Sequence, residues 1–223
     1  MARTLSIDVP GGQLPLVVQG PDDAAPVPAL VVVPSIFGPN PDLLDRLAAL
    51  GDDALVVVPD PFWRTGEGPV PYADRDTAFG RLADFDVGGC ATEMAAEVVW
   101  AREHGNGKVV ALGICFGGPF VLGLAARGLV DGVVTWHGSR MEGALDAVDA
   151  ITCPVRHHLG GADPVTPPEV VAAIRRAFAT HPDTEIAVHE GATHGFTHDG
   201  PAYDDAAYRA AFASVVEQLD RVR

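Results

Sequence analysis

The chain has 223 residues, 30 of them acidic against 15 lysines and arginines, for a formal net charge of −15; 48% of its residues are hydrophobic. That balance argues against a nucleic-acid partner, because no basic cluster interrupts the acidity, yet a few local arginines could still reverse the field in a cleft for a small anion. No apolar run approaches the roughly 18 residues a membrane span needs, so no membrane partner is expected, and the length suits one domain over 1–223.

The chain opens with two alternating stretches, "RTLSIDVP" and "LPLVVQG", split by Gly11 and Gly12, which predict a hairpin. After a loop over 21–28, "ALVVVP" is a short, wholly apolar run of the kind found in buried strands. "NPDLLDRLAALG" has leucines at helical spacing, an early proline and a stop at Gly51. "DALVVVPDPF" repeats the strand pattern, and 63–72 is rich in Gly and Pro and predicts a loop. "ADRDTAFGRLADFD" and "GGCATEMAAEVVWAREHG" predict helices, "KVVALGI" a buried strand, and 118–127 a helix. There follow a strand "DGVVTWHG", a loop, a strand "PVRHHLGG", a helix "PPEVVAAIRRAFATH", a strand "TEIAVHEG" and a final helix from "DDAAYRAAF" onward. Strands alternating with helices predict an α/β fold, a mostly parallel sheet with helices on both faces. Three cysteines in unlike contexts, with no apolar leader in "MARTLSIDVPGG", point to a reducing, cytoplasmic setting rather than a disulfide framework.

Ligands of an open parallel sheet gather at the carboxyl ends of its strands. Three predicted strands end there in residues suited to chemistry: Cys115 after "KVVALGI", Asp163 after "PVRHHLGG", and His194 in "GATHGF". Nucleophile, acid and histidine therefore come in the chain order of an α/β-hydrolase triad. "GICFGG" fits the tight strand-to-helix turn that exposes such a nucleophile: side chains at Gly113 or Gly117 would clash as the turn closes, and Gly118 lets the helix start close to the sheet. A thiolate would attack an acyl carbon, His194 would manage the proton, and Asp163 would hold the imidazole tautomer. The oxyanion would need two backbone donors, expected from Phe116 and Ile36.

"GICFGG", "GGADPVTPPE" and "EGATHGF" together resemble the dienelactone hydrolase family (carboxymethylenebutenolidases), from "ALVVVPSIFGPN" to the last helix. The resemblance implies an α/β-hydrolase fold and hydrolysis of a lactone or small carboxylic ester by a Cys-His-Asp triad, without cofactor. It also exposes two departures. Where the family has a glutamate that pairs with the resting thiol, this chain has Ser35; where the family has a second arginine for the substrate carboxylate, it has His198. Arg75 matches the first arginine of that clamp. Ser35 cannot supply a carboxylate's charge, and His198 lacks the guanidinium fork. A thiolate–imidazolium pair of Cys115 and His194, and a substrate other than dienelactone, are the expectations that follow.

Trp136 stands next to the nucleophile strand and can be read either as a pocket wall or as a core filler. His194 and His198 have the i, i+4 spacing of a zinc pair, but their segment is glycine-rich and no third ligand is evident, so no metal is expected. Two alternatives remain at this stage: a hydrolase of another acyl donor such as a thioester, or a non-catalytic scaffold used for binding or thiol sensing.

Overall fold

The computed structural model describes residues 2–21, 26–66 and 68–223. Residues 22–25 of the predicted loop 21–28, and Glu67 of the loop 63–72, lie outside the described residues. Eight strands of the described residues form one sheet: β1 (Arg3–Val9), β2 (Gly12–Gln19), β3 (Ala29–Val33), β4 (Leu55–Pro59), β5 (Val109–Ile114), β6 (Gly132–Trp136), β7 (Val155–Gly160) and β8 (Thr184–His189). Their spatial order is β1-β2-β4-β3-β5-β6-β7-β8. The β1–β2 hairpin is antiparallel, β2 meets β4 antiparallel, and every other pairing is parallel.

The helices are α1 (Pro41–Leu47), α2 (Arg75–Gly80), α3 (Val87–His104), α4 (Gly118–Ala126), α5 (Pro168–Ala177) and α6 (Asp205–Arg221). Alternate residues of β3 show how they sandwich the sheet. Val31 and Val33 point into one core with Met94 and Val98 of α3, Val121 of α4 and Ile174 of α5. Leu30 and Val32 point into the other, with Leu43 and Leu47 of α1 and Val215 and Leu219 of α6. A strand buried on both faces cannot alternate apolar with polar, which is why these strands read as continuous valine runs. Aspartates start three helices: Asp74, Asp86 and Asp204 each accept from a backbone N–H three residues on.

After β3 the chain steps to β4 on one side and, by way of α3, to β5 on the other. The carboxyl ends of β3 and β5 therefore lie side by side at a topological switch point, where α/β sheets bind ligands. The structure departs from the sequence reading in three places: the helix expected over 40–51 is α-helical only as Pro41–Leu47 and goes on as 3₁₀ turns, Ala48–Asp53. Only Arg75–Gly80 of the predicted helix over 73–86 is helical, and it continues in turns. The predicted loop after β6 holds a run of 3₁₀ turns, Met141–Ala150, anchored by the buried Met141 and Val148.

Candidate active site

β5 ends at Ile114, and Cys115 begins a single 3₁₀ turn, Cys115–Gly117, that leads into α4. Cys115 has a φ of 50°, in the left-handed region that a residue with a side chain rarely adopts. The surrounding glycines permit the turn. A Cβ on Gly113 would sit 2.6 Å from the Gly117 carbonyl oxygen, one on Gly117 would collide with the Val33 carbonyl, and one on Gly118 would meet Met141 Sδ at 2.7 Å.

The three residues proposed from the sequence come together. His194 Nε2 lies 3.0 Å from Cys115 Sγ, and His194 Nδ1 lies 2.8 Å from Asp163 Oδ2. Asp163 is buried and is fixed in turn by the Val165 N–H, which donates to Oδ1 at 2.7 Å. Burial alone would lower the pKa of His194, but hydrogen bonds to Asp163 and Cys115 outweigh it and raise it to about 9. The Ile36 and Phe116 positions both line the cavity beside Cys115. Phe116 stands at the start of the helical turn, where backbone N–H groups have no intrahelical acceptor.

Three residues that the motifs did not reveal complete the surroundings. The Cys115 thiol lies 3.7 Å from Ser139 Oγ, and the Ser139 N–H donates to the Cys115 carbonyl at 2.9 Å. His137, buried and with a φ of 37°, shares a hydrogen bond of 2.8 Å with Thr197 Oγ1 through Nε2. Its ring packs edge-on against those of both His194 and His198, at 5.0 and 4.9 Å between centroids. Burial, reinforced by the neighbouring imidazoles, holds His137 well below the usual histidine pKa. The position of His137 at the end of β6 was a signal; the left-handed backbone that aims it was not legible. Cys115, His137 and His194 offer ligand atoms within 4.8 Å of one another, so a soft metal ion could be held there only by engaging the sulfur and imidazole of the pair.

The other predicted contacts divide. Arg75 and His198 line the cavity that opens over Cys115. His198 stacks on Tyr72 at 4.4 Å, and burial with the nearby His194 lowers its pKa to about 4, so it is uncharged at neutral pH. Ser35 is buried behind Ile36, its hydroxyl accepting from the Phe37 N–H at 3.5 Å, and it faces a small separate void with Thr197 and His198. Trp136 is a core filler and not a pocket wall: it is fully buried, donates from Nε1 to the Ala211 carbonyl at 3.2 Å and packs on Tyr208 and Phe212 of α6. Alternation explains this, since Trp136 points to the α6 face of the sheet while the cavity lies on the α3–α4 face.

The dienelactone hydrolase family model matches residues 14–223. The chain belongs to the dienelactone hydrolase family. It is 30% identical over 239 residues to the carboxymethylenebutenolidase of Pseudomonas sp. strain P51, covering 100% of this chain and 97% of that one. It is 30% identical over 179 residues to the carboxymethylenebutenolidase of Pseudomonas putida, covering 77% and 76%. Among solved structures, the dienelactone hydrolase of Anabaena variabilis ATCC 29413 superposes with a TM-score of 0.70 at 18% identity, covering 98% of this chain and 96% of that one. A protein of Klebsiella pneumoniae subsp. pneumoniae MGH 78578, described as a candidate dienelactone hydrolase, gives 0.83 at 22% identity, with 99% and 98% covered. The structural likenesses carry the α/β-hydrolase fold, and the family membership makes this dienelactone hydrolase-like chain a hydrolase.

Proposed function

We propose that this dienelactone hydrolase-family protein cleaves a lactone or carboxylic ester through a covalent acyl-Cys115 intermediate. One observation carries the reading: Cys115 Sγ, His194 and Asp163 form a continuous hydrogen-bonded chain of 3.0 and 2.8 Å. The raised pKa of His194, held up by Asp163 and by the sulfur, favours an imidazolium beside the nucleophile. No carboxylate at position 35 is needed for that arrangement.

The thiolate adds to the acyl carbon, and the carbonyl electron pair moves onto oxygen. The Ile36 and Phe116 amides receive that oxyanion; such donors are each worth about 3–4 kcal/mol in a transition state. The C–O bond breaks, and the leaving oxygen takes the His194 proton. In the resulting thioester the sulfur is neutral, so one influence that raised the His194 pKa is gone. The imidazole, now neutral, is free to act as general base: it takes a proton from water, the hydroxide adds to the thioester carbon, and the C–S bond breaks to release the acid and restore the thiolate beside the imidazolium. Asp163 holds Nδ1 protonated throughout.

The test is turnover of a panel of activated aryl esters and lactones with pre-steady-state detection. An initial burst of leaving group stoichiometric with enzyme, absent in Cys115→Ala, supports the reading. An undiminished burst in Cys115→Ala, or no burst and no turnover with any member, contradicts it.

A further inference from the structure

The cavity over Cys115 has a volume of about 990 Å³, at the upper end of ligand pockets and far more than a small lactone fills. Its shape follows α4. Phe116, Phe120, Leu124 and Arg127 line it at helical spacing, so one face of that helix is the floor from the nucleophile to the helix end. Met94 of α3 and Ala144 of the 3₁₀ run border it as well. Twelve residues at about 1.5 Å each put the Arg127 backbone roughly 18 Å along the axis from Cys115. Arg127, the residue that ends the helix, is exposed and lines the cavity at the far end of this apolar floor.

The charge of the cavity is opposite to that of the molecule. In a chain of net charge −15, the cavity collects Arg75, Arg127 and Arg140 against one carboxylate, Asp199, which is itself engaged by Arg46 at 3.4 Å. Among the described residues neither Arg127 nor Arg140 has a carboxylate partner, whereas Arg46, Arg102, Arg156, Arg209, Arg221 and Arg223 all do. Arg140 follows Ser139, the neighbour of the thiol, and holds a φ of 52° as it turns toward the cavity rim. Unpaired cations beside a low-dielectric wall attract an anion more strongly than the same cations in open solvent.

We infer that the α4 side of the cavity is a subsite for an extended amphipathic anion: an acyl ester whose apolar chain lies along Phe116, Phe120 and Leu124 and whose terminal carboxylate is drawn toward Arg127, with Arg140 adding positive charge to the rim nearer the thiol. This rests on the hydrolase reading above and adds the substrate class. The subsite uses residues other than Arg75 and His198, although all of them line the same cavity.

The test compares p-nitrophenyl hydrogen suberate with its methyl-capped ester and with the short p-nitrophenyl hydrogen succinate. Wild type is expected to favour the long free acid over its capped form by about tenfold in kcat/KM, the scale of one charge-assisted hydrogen bond. The short acid gains no such advantage because it cannot span the floor. In Arg127→Gln/Arg140→Gln the long-acid preference falls toward unity, while Arg127→Lys keeps part of it. A ratio near one in wild type, or a preference untouched by the double substitution, overturns the subsite. Calorimetric binding of the same esters to Cys115→Ala separates the two claims. Selective binding that the arginine substitutions abolish supports the subsite even if no ester is cleaved, in which case the hydrolase reading alone fails. Ester cleavage without selective binding overturns the subsite alone.

Discussion

Cys115 keeps its sulfur at the cavity floor by holding a left-handed backbone, a conformation that costs a non-glycine residue about 1–3 kcal/mol. That strain is tolerated because packing of Gly113, Gly117 and Gly118 leaves the turn no other course. At this scale the approach of Cys115, Asp163 and His194 could be anticipated from three motifs in order, because each lies at a strand end and strand ends are visible as broken valine runs. Ser139 was not legible, and of His137 only its place at a strand end was, since the approach of both depends on how the segment after β6 folds over the sulfur. The Asp163 carboxylate orients and charges His194, so Asp163→Asn is expected to lower kcat by about 10³–10⁴-fold with the fold intact, measured as ester turnover beside a melting curve. On the proposed mechanism, expulsion of a leaving group that is not highly activated takes the His194 proton. The burst rate should therefore decline as pH rises through about 9, where that imidazolium deprotonates; a rate still climbing above that pH would contradict the proton placement. The same raised pKa has a stability sign. Against an unfolded value near 6.5, the His194 contribution is full below pH 6.5 and is lost as pH rises to about 9.

Element by element, the strands and long helices were readable because both sheet faces are covered and the apolar patterns are dense. The 3₁₀ run Met141–Ala150 was not, because "MEGALDAVDA" has too few apolar residues to show a period, and only contact with α4 selects its form. The elbow and α4 are one unit, and Gly117 is where β3 and the elbow touch. Gly117→Ala would drive a methyl into the Val33 carbonyl and is expected to cost about 3 kcal/mol or to displace the turn, read as a lower melting temperature with activity lost. α3 carries an opposite case. Glu97 is fully buried, neither oxygen has a hydrogen-bond partner among the described residues, and burial pushes its pKa well above the usual carboxyl value. Its raised folded pKa means a stability contribution lost as pH climbs above the unfolded carboxyl range near 4.5. Glu97→Leu, of similar volume and with no polar atom, is expected to raise stability at neutral pH by about 1–3 kcal/mol in denaturant unfolding; a loss would show that the carboxyl has a role here.

Across the whole molecule, several histidines are buried uncharged. Burial lowers His157 to about 3 and His158 and His198 to about 4, and holds His137 well down. Each must gain a proton on unfolding at mild acidity. Depressed folded values give stability that is full above about pH 6.5 and lost as pH falls toward 4, at up to about 1.4 kcal/mol per pH unit for each group. The melting temperature should drop steeply across that window; a flat profile would mean these rings are protonated in the fold. The overall charge pattern was partly legible too: composition gave the acidity, but the gathering of Arg75, Arg127 and Arg140 around one cavity needed the folded chain, since they lie on three separated segments. The most direct measurement is to quench a reaction with an activated ester early and map the acyl group by intact-protein and peptide mass spectrometry. The account predicts a hydroxylamine-labile thioester on Cys115 that vanishes in Cys115→Ala and accumulates in His194→Gln when a highly activated ester is used. An acyl group carried by another residue, or a turned-over ester with no adduct at Cys115 under any quench, would contradict it.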